Sequence, residues 1–209
     1  MPARRTRKNH RKRTLSKRVN RLERISRPEV KYVDSESGAF DNVNPVTTPG
    51  FGTLLTPQSL AQGSGRNARI GDKVKSRNIR FQGIFKMPQN PDNPTCALRI
   101  LVLRCKGERP TTTQMPSWYG SVDEDKFFVL KDIMTQVTAL QARTVSGSSF
   151  ETGSSLKKIK FNINAGMRKI QFNGGSDQRP LNNEIIIYLL AENASAEMAY
   201  TWKHYYVDN

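Results

Sequence analysis

The sequence predicts an all-β domain of the sandwich or barrel class behind a strongly basic arm. From about residue 70 onward, apolar residues recur at every second position, the period of a strand with one buried face. Pro and Gly fill the connections between these stretches, and no helical pattern of any length occurs in this part of the chain. Many strands with few helices are typical of a sandwich or barrel, and the jelly roll is among the candidates.

Residues 1–27 form the arm, which carries most of the charge of the chain. They hold nine Arg and three Lys against one acid, Glu23, a net charge of +11 out of +16 for all 209 residues. Such a run repels itself and buries too little apolar surface to fold alone, whereas phosphate groups relieve the repulsion and release counterions. We therefore predict that the arm binds nucleic acid through Arg4, Arg5, Arg7, Lys8, Arg11, Lys12, Arg13, Lys17, Arg18, Arg21, Arg24 and Arg27. A solubilising or nuclear-targeting tail is the alternative, and it is compatible with this role.

The arm and the segment after it carry two further signals. Leu15, Val19, Leu22 and Ile25 recur at helical spacing, so part of the arm is either coil or a helix that forms on binding. Residues 28–49 are interpreted as a linker because they are rich in Pro, Gly, Ser and Thr. The folded domain is then 50–209.

The strands of this domain follow in order along the chain. The sequence predicts strands over 51–56, 78–85, 96–105, 125–130, 133–140, 156–164, 168–172, 183–192 and 198–207. A turn at 164–166 would join two of them as a hairpin, since Asn, Ala and Gly stand there.

Few side chains offer catalytic or metal chemistry. Cys96 and Cys105 lie nine residues apart in one predicted strand, on opposite faces, so they cannot form a disulfide. His10 lies in the arm, and His204 lies in the last strand with no nucleophile signature nearby. We expect no enzyme activity, no metal and no cofactor. No apolar stretch approaches the roughly 20 residues of a membrane span, so no membrane partner is expected either.

A second basic stretch opens the domain. Seven cations between residues 66 and 86 face one acid, Asp72, and would make one side of the sheet positive. We predict a secondary nucleic-acid face built from Arg66, Arg69, Lys73, Lys75, Arg77 and Arg80. A later patch adds Lys157, Lys158, Lys160, Arg168 and Lys169. The alternative is that these are ordinary polar positions of amphipathic strands.

Residues 62–74 contain Arg69-Ile70-Gly71-Asp72 and are followed by a Lys/Arg-x-Ile-x-Phe-x-Gly strand at 77–83. With the aromatic-Val-Leu-x-Asp stretch at 127–132, they resemble capsid proteins of circular Rep-encoding single-stranded DNA viruses, whose fold is similar to that of the satellite tobacco necrosis virus coat protein. The resemblance covers roughly residues 50–208. It implies an eight-stranded antiparallel single jelly-roll sandwich.

The same resemblance implies a function, a viral coat protein. Sixty copies would assemble as a small icosahedral T=1 shell, with the arms facing a single-stranded genome, DNA being favoured over RNA. Sixty arms carry roughly 660 positive charges, which suits a genome on the order of a thousand nucleotides. The virion, and the host nucleus during assembly, are the expected locations. The alternative function is a cellular or ribosomal RNA-binding protein with a basic extension on a β-barrel.

Overall fold

A computed structural model of the chain describes residues 29–37, 40–43, 52–87, 95–111, 114–138, 141–145, 148–152, 156–175, 177–192 and 196–208. The predicted arm, with the helix considered within it, lies outside these residues. The described part contains no apolar helix of membrane-spanning length.

The described residues form strands and no α-helix. The strands are β1 (Val30–Glu36), β2 (Asp41–Asn42), β3 (Thr53–Leu55), β4 (Lys73–Lys86), β5 (Thr95–Cys105), β6 (Phe127–Thr138), β7 (Gln141–Val145), β8 (Ser148–Thr152), β9 (Lys157–Gln171), β10 (Ile185–Ala191) and β11 (Glu197–Asp208). The prediction of an all-β fold is confirmed.

Eight of these strands form two four-stranded antiparallel sheets. Sheet A has the order β1-β11-β4-β9, with the short β2 also paired to β11, and sheet B has the order β3-β10-β5-β6. Strands β7 and β8 pair only with each other in this part of the structure. The two sheets pack face to face as a sandwich, and their core contains Ile79 and Phe85 of sheet A and Leu98, Ile100 and Ile187 of sheet B.

Two predicted details of the strands are wrong. The expected hairpin at 164–166 does not form, because β9 continues from Lys157 to Gln171. Gly166 and Met167 have φ angles of 66° and 56°, and the register with β4 shifts at this point. The glycine therefore serves a β-bulge instead of a turn. Likewise, the strands predicted at 125–130 and 133–140 are one strand, β6.

Part of the predicted linker at 28–49 belongs to sheet A. Val30–Glu36 forms β1, which pairs with β11 along its whole length, Val30 opposite Val207 and Glu36 opposite Thr201. The linker prediction is wrong for these residues. β1 is an edge strand with exposed and charged positions, so it lacks the apolar alternation by which a half-buried strand is recognised.

The two cysteines lie on opposite faces of β5, as predicted. Cys96 packs into the core between the sheets, whereas Cys105 packs on the outer side of sheet B. Both are buried and neither is in a disulfide, and burial raises the pKa of Cys105 to about 12. This thiol is therefore protonated and unreactive at neutral pH.

A buried polar chain joins three parts of the sandwich. Gln58 Nε2 donates to Ser76 Oγ (2.8 Å), which lies 2.8 Å from His204 Nε2, and Ile185 N donates to Gln58 Oε1 (2.7 Å). Gln58, Ser76 and His204 are all fully buried. The serine and histidine have the separation of a nucleophile and its base, but no substrate can reach them, so their role is structural.

Burial of His204 predicts an acid-sensitive fold. Burial lowers the pKa of His204 to about 3 from 6.5, so the unfolded chain takes up the proton first as the pH falls. The stability that the neutral ring contributes is complete above pH 6.5 and is lost progressively toward pH 3. Between pH 7 and pH 5 the wild-type protein should lose about 2 kcal/mol of stability relative to a His204→Gln variant.

Urea unfolding of both proteins at each pH measures this difference. Glu184, whose pKa burial raises to about 6, opposes the loss below that pH, but it does so equally in both proteins. Parallel pH profiles for wild type and variant would contradict the assignment.

Candidate nucleic-acid interface

The outer face of sheet A is a polar surface made by alternate residues of its four strands. In β4, Ile79 and Phe81 are buried in the core, so Asn78, Arg80 and Gln82 point outward. Outward residues that pair on neighbouring strands form rows across sheet A, with one residue from each of its four strands. One row is Tyr32, Tyr205, Asn78 and Asn164, and the next is Asp34, Lys203, Arg80 and Asn162.

Cations accumulate on this face. The outward residues of β4 and β9 include Lys73, Lys75, Arg80, Lys158, Lys160 and Lys169. Arg77 lies at the bulge of β4 and is exposed, and Arg66 is exposed in the loop before β4. Two of the face's other cations are neutralised by acids, Lys203 by Asp34 (3.2 Å) and Lys86 by Glu197 (2.9 Å). No ion pair among the described residues involves Arg66, Arg77 or Arg80.

The side chains of the later basic patch, residues 157–169, point to two different sides of sheet A. Lys158, Lys160 and Lys169 share the outer face, but Lys157 is opposite Phe85 and Arg168 is opposite Ser76, both of which point inward. Burial and the charge of Arg168 lower the pKa of Arg104 in sheet B. Arg168 is therefore on the side of β9 that faces sheet B and not on the outer surface of sheet A.

Two tyrosines and three cations meet on the outer face. The rings of Tyr32 and Tyr205 lie 6.2 Å apart at an angle of 47°. Arg66 and Lys203 lie over Tyr32 at 5.2 Å and 4.0 Å from the ring centroid, and Arg80 lies over Tyr205 at 5.1 Å. The sequence prediction missed this pair because Tyr32 falls in the predicted linker, and only strand pairing brings it beside Tyr205.

A shallow groove adjoins Tyr205. It is lined by Arg77, Asn78, Arg80, Asn162, Asn164 and Tyr205. Asn78 Nδ2 donates to Asn162 Oδ1 at 3.2 Å. Guanidinium and amide groups donate hydrogen bonds to phosphate oxygens and base edges, so the groove presents suitable donors for a nucleotide.

Arg69 does not belong to this face. It is fully buried, and its guanidinium donates to the carbonyls of Leu60, Gly71, Gly174 and Asp177 and to the carboxylate of Asp72. It also lies 4.4 Å from the ring centroid of Phe172. The prediction that Arg69 belongs to the secondary nucleic-acid face is therefore wrong. Its role is structural, because it joins two loops beside β4 and β9. The sequence alone does not distinguish a buried arginine from an exposed one in the same basic stretch.

Sheet B presents a different outer face. Leu101, Leu103, Ile186, Tyr188 and Leu190 point outward from it and are buried by the chain itself. Residues 114–126 cover them, with Met115 and Trp118 inserted. Arg99 holds this cover in place by donating to the carbonyls of Trp118 and Gly120 (both 2.9 Å) and pairing with Asp132 (2.8 Å). The sandwich therefore has one side that its own chain covers over β5 and β10, and one open, basic side.

Comparisons with known proteins add little to this geometry. No protein-family model matches the chain, and no curated protein matches it. Among solved structures, it is similar to the infectious bursal disease virus VP2 subviral particle with 8% identity and a TM-score of 0.18, over 88% of this chain and 42% of the VP2 chain. At that TM-score the likeness carries no argument about fold or function, and the chain spans less than half the length of that VP2 chain.

The two roles assigned to neighbouring arginines give a testable contrast. Arg69→Met leaves several buried acceptors without a donor and should lower the free energy of unfolding by about 3 kcal/mol or more. Arg66→Met, an identical change at an exposed position three residues earlier, should change it by about 0.5 kcal/mol or less. Urea unfolding measures both. Equal stability of the two variants would contradict the structural role of Arg69.

Proposed function

We propose that the chain is a viral coat protein that assembles with copies of itself into a closed shell around single-stranded nucleic acid. The observation that carries this proposal is the two-sided character of the sandwich. The outer face of β5 and β10 in sheet B is covered by residues 114–126, whereas sheet A exposes cations that are in no ion pair among the described residues. A shell subunit needs an inner side that accepts phosphate and an outer side that does not, and the two sheets offer this division.

The place where the described chain begins in sheet A supports the same orientation. The described chain enters sheet A at Val30, opposite Val207, which in turn is opposite Lys75. Lys75 is opposite Lys169 on β9. The twelve cations of residues 1–27 are thus attached to the end of the sheet where these lysines lie, so the arm and the sheet face can act on one strand of nucleic acid.

The strand order supports a single jelly roll. Numbering the eight sandwich strands along the chain gives the order 1-8-3-6 in sheet A and 2-7-4-5 in sheet B. This alternation between sheets is the order expected when two Greek keys are wound together. The proposal therefore includes the single jelly-roll fold that the sequence resemblance implies.

One free edge of the sandwich supports contact with neighbouring copies. Strand β6 pairs only with β5 within the described residues, and it exposes Phe128, Val129 and Met134. Apolar side chains along an unpaired edge are suited to burial against another subunit.

The proposal has four further parts, which follow the resemblance given by the sequence. We propose that sixty copies form a T=1 shell and that the protein has no catalytic role. We propose DNA as the favoured genome, and the virion and the host nucleus as the locations of the protein.

Assembly distinguishes this proposal from a cellular or ribosomal RNA-binding protein. The purified chain, mixed with single-stranded DNA, should form closed particles of uniform diameter in electron micrographs. Discrete monomers that bind RNA would support the other function and overturn this one.

The arm accounts for affinity in this proposal. A variant in which the twelve cations of residues 1–27 are replaced by Gln should keep the folded body and bind single-stranded DNA far more weakly. Its affinity should also fall less steeply with salt, since the slope follows the number of phosphates neutralised. Fluorescence anisotropy from low to high salt measures both quantities. An unchanged affinity and salt slope would exclude the arm as the binding element.

A further inference from the structure

We propose that Tyr32 and Tyr205, on the outer face of sheet A, form a stacking platform for unpaired bases. This inference rests on the proposed function and deepens it: it assigns the body of the protein, as well as the arm, a direct contact with nucleic acid. The class of ligand is single-stranded nucleic acid, and the contact depends on ring faces that a duplex cannot offer.

The two rings are positioned by strand pairing. Tyr32 of β1 is opposite Tyr205 of β11, and both side chains are half-buried on the polar face. Their centroids lie 6.2 Å apart and their planes are tilted by 47°, so neither ring covers the face of the other. Aromatic faces at the surface of a basic sheet stack bases without regard to sequence, because every base has a π-face.

Arginines flank the platform and are available for phosphate. Arg66 lies 5.2 Å from the Tyr32 centroid and Arg80 lies 5.1 Å from the Tyr205 centroid. Both distances exceed the 4.0 Å between Lys203 Nζ and the Tyr32 centroid, and neither arginine is in an ion pair within the described structure, whereas Lys203 is held by Asp34. Their long side chains can move aside for a base and then pair with its phosphate, or stack on it with their guanidinium planes.

The groove beside Tyr205 continues the site across the sheet. Asn78 and Asn164 share a row with the two tyrosines, one on each of the remaining strands. Four strands at the usual spacing carry this row over about 14 Å. Arg77 and Asn162 add donors at the same groove. The row thus passes from ring faces to hydrogen-bond donors, which suits a short run of bases whose neighbours contact the amides.

Stacking makes the site selective for single strands. In a duplex each base is already stacked on its neighbours and paired, so a protein ring reaches base faces only by unstacking them, at a cost of a few kcal/mol per base. The arm has no such preference, because it neutralises phosphates of either form. The tyrosine platform therefore gives the body a discrimination that the arm lacks.

The test compares single-stranded and duplex DNA in full-length variants. Tyr32→Leu with Tyr205→Leu keeps apolar bulk but removes both aromatic rings. Tyr119→Leu is the matched control, since Tyr119 is 83% exposed in residues 114–126, which cover sheet B. Anisotropy with a fluorescent oligothymidylate of about 20 nucleotides and a duplex of equal length is measured at about 0.5 M salt, where the contribution of the arm is weakened.

Compared with wild type, the affinity of the double variant for oligothymidylate should fall by about tenfold or more. Its affinity for the duplex should fall by less than twofold, because loss of stacking affects only unpaired bases. The control variant should match wild type on both ligands. An equal loss on both ligands, or no loss on oligothymidylate, would overturn the platform.

A second measurement tests the platform if the double variant fails to fold. Wild-type protein is photocrosslinked to oligonucleotides containing 5-iodouracil, and the linked peptides are mapped by mass spectrometry. Crosslinks at Tyr32 or Tyr205 support the platform, and crosslinks confined to residues 1–27 overturn it. Particle formation in electron micrographs is scored separately: closed particles without these crosslinks refute the platform alone, whereas a wild-type chain that forms no particles refutes the proposed function.

Discussion

Burial of β10 on both of its faces is the constraint on which the rest of the structure depends. All seven of its residues are buried, with Ile187 and Leu189 facing the other sheet and Ile186, Tyr188 and Leu190 facing outward. A strand that is apolar on both sides needs a layer on each side, and a two-sheet sandwich supplies only one. The second layer is the segment 114–126, and Arg99 fastens it through backbone carbonyls. The part of sheet B formed by β5 and β10 is thereby committed to internal packing on both faces.

This commitment leaves sheet A with the open face of the two sheets, and its composition follows from that. Its inward positions are apolar and its outward positions are polar, the usual alternation of a one-sided sheet. Cations outnumber acids among those outward residues, and the pairs Lys203–Asp34 and Lys86–Glu197 neutralise only part of the charge. Like charges on one face repel and disfavour the compact state, and a bound polyanion removes that cost. In the proposed function, binding of phosphate and stability of the body would therefore be linked through the same residues.

Much of this architecture could be predicted from alternation alone, and the failures have physical causes. The long strands β4, β5, β10 and β11 were predicted because a half-buried or fully buried strand imposes a visible pattern. β1 was missed because an edge strand can be charged and exposed. Gly166 predicts a turn, but it lies in a β-bulge, because a bulge and a turn need the same freedom of the backbone.

The candidate site was harder to predict, because it depends on pairing between distant parts of the chain. The outward direction of Arg80 follows from local alternation and was predicted. Lys75 lies an odd number of residues from Arg80, and it shares the same face only because the register shifts between Ser76 and Asn78. The burial of Arg69 depends on loops from residues 174–177, and the meeting of Tyr32 with Tyr205 depends on the register of β1 against β11. No local pattern contains that information.

In the function that we propose, the arm and the open face of sheet A would hold nucleic acid by different physics, and the difference would have a consequence for assembly. Contacts of the arm are electrostatic, long in reach and weakened by salt, so they capture strands early and without selection. Ring stacking is short in range and less dependent on salt, so it acts only on a strand that the arm has already brought to the sheet. Because the arm is continuous with β1, which carries Tyr32, capture raises the local concentration of bases at the platform. A weak stacking site repeated on every copy can then select unpaired strands, even though the arm, which binds first and more strongly, does not.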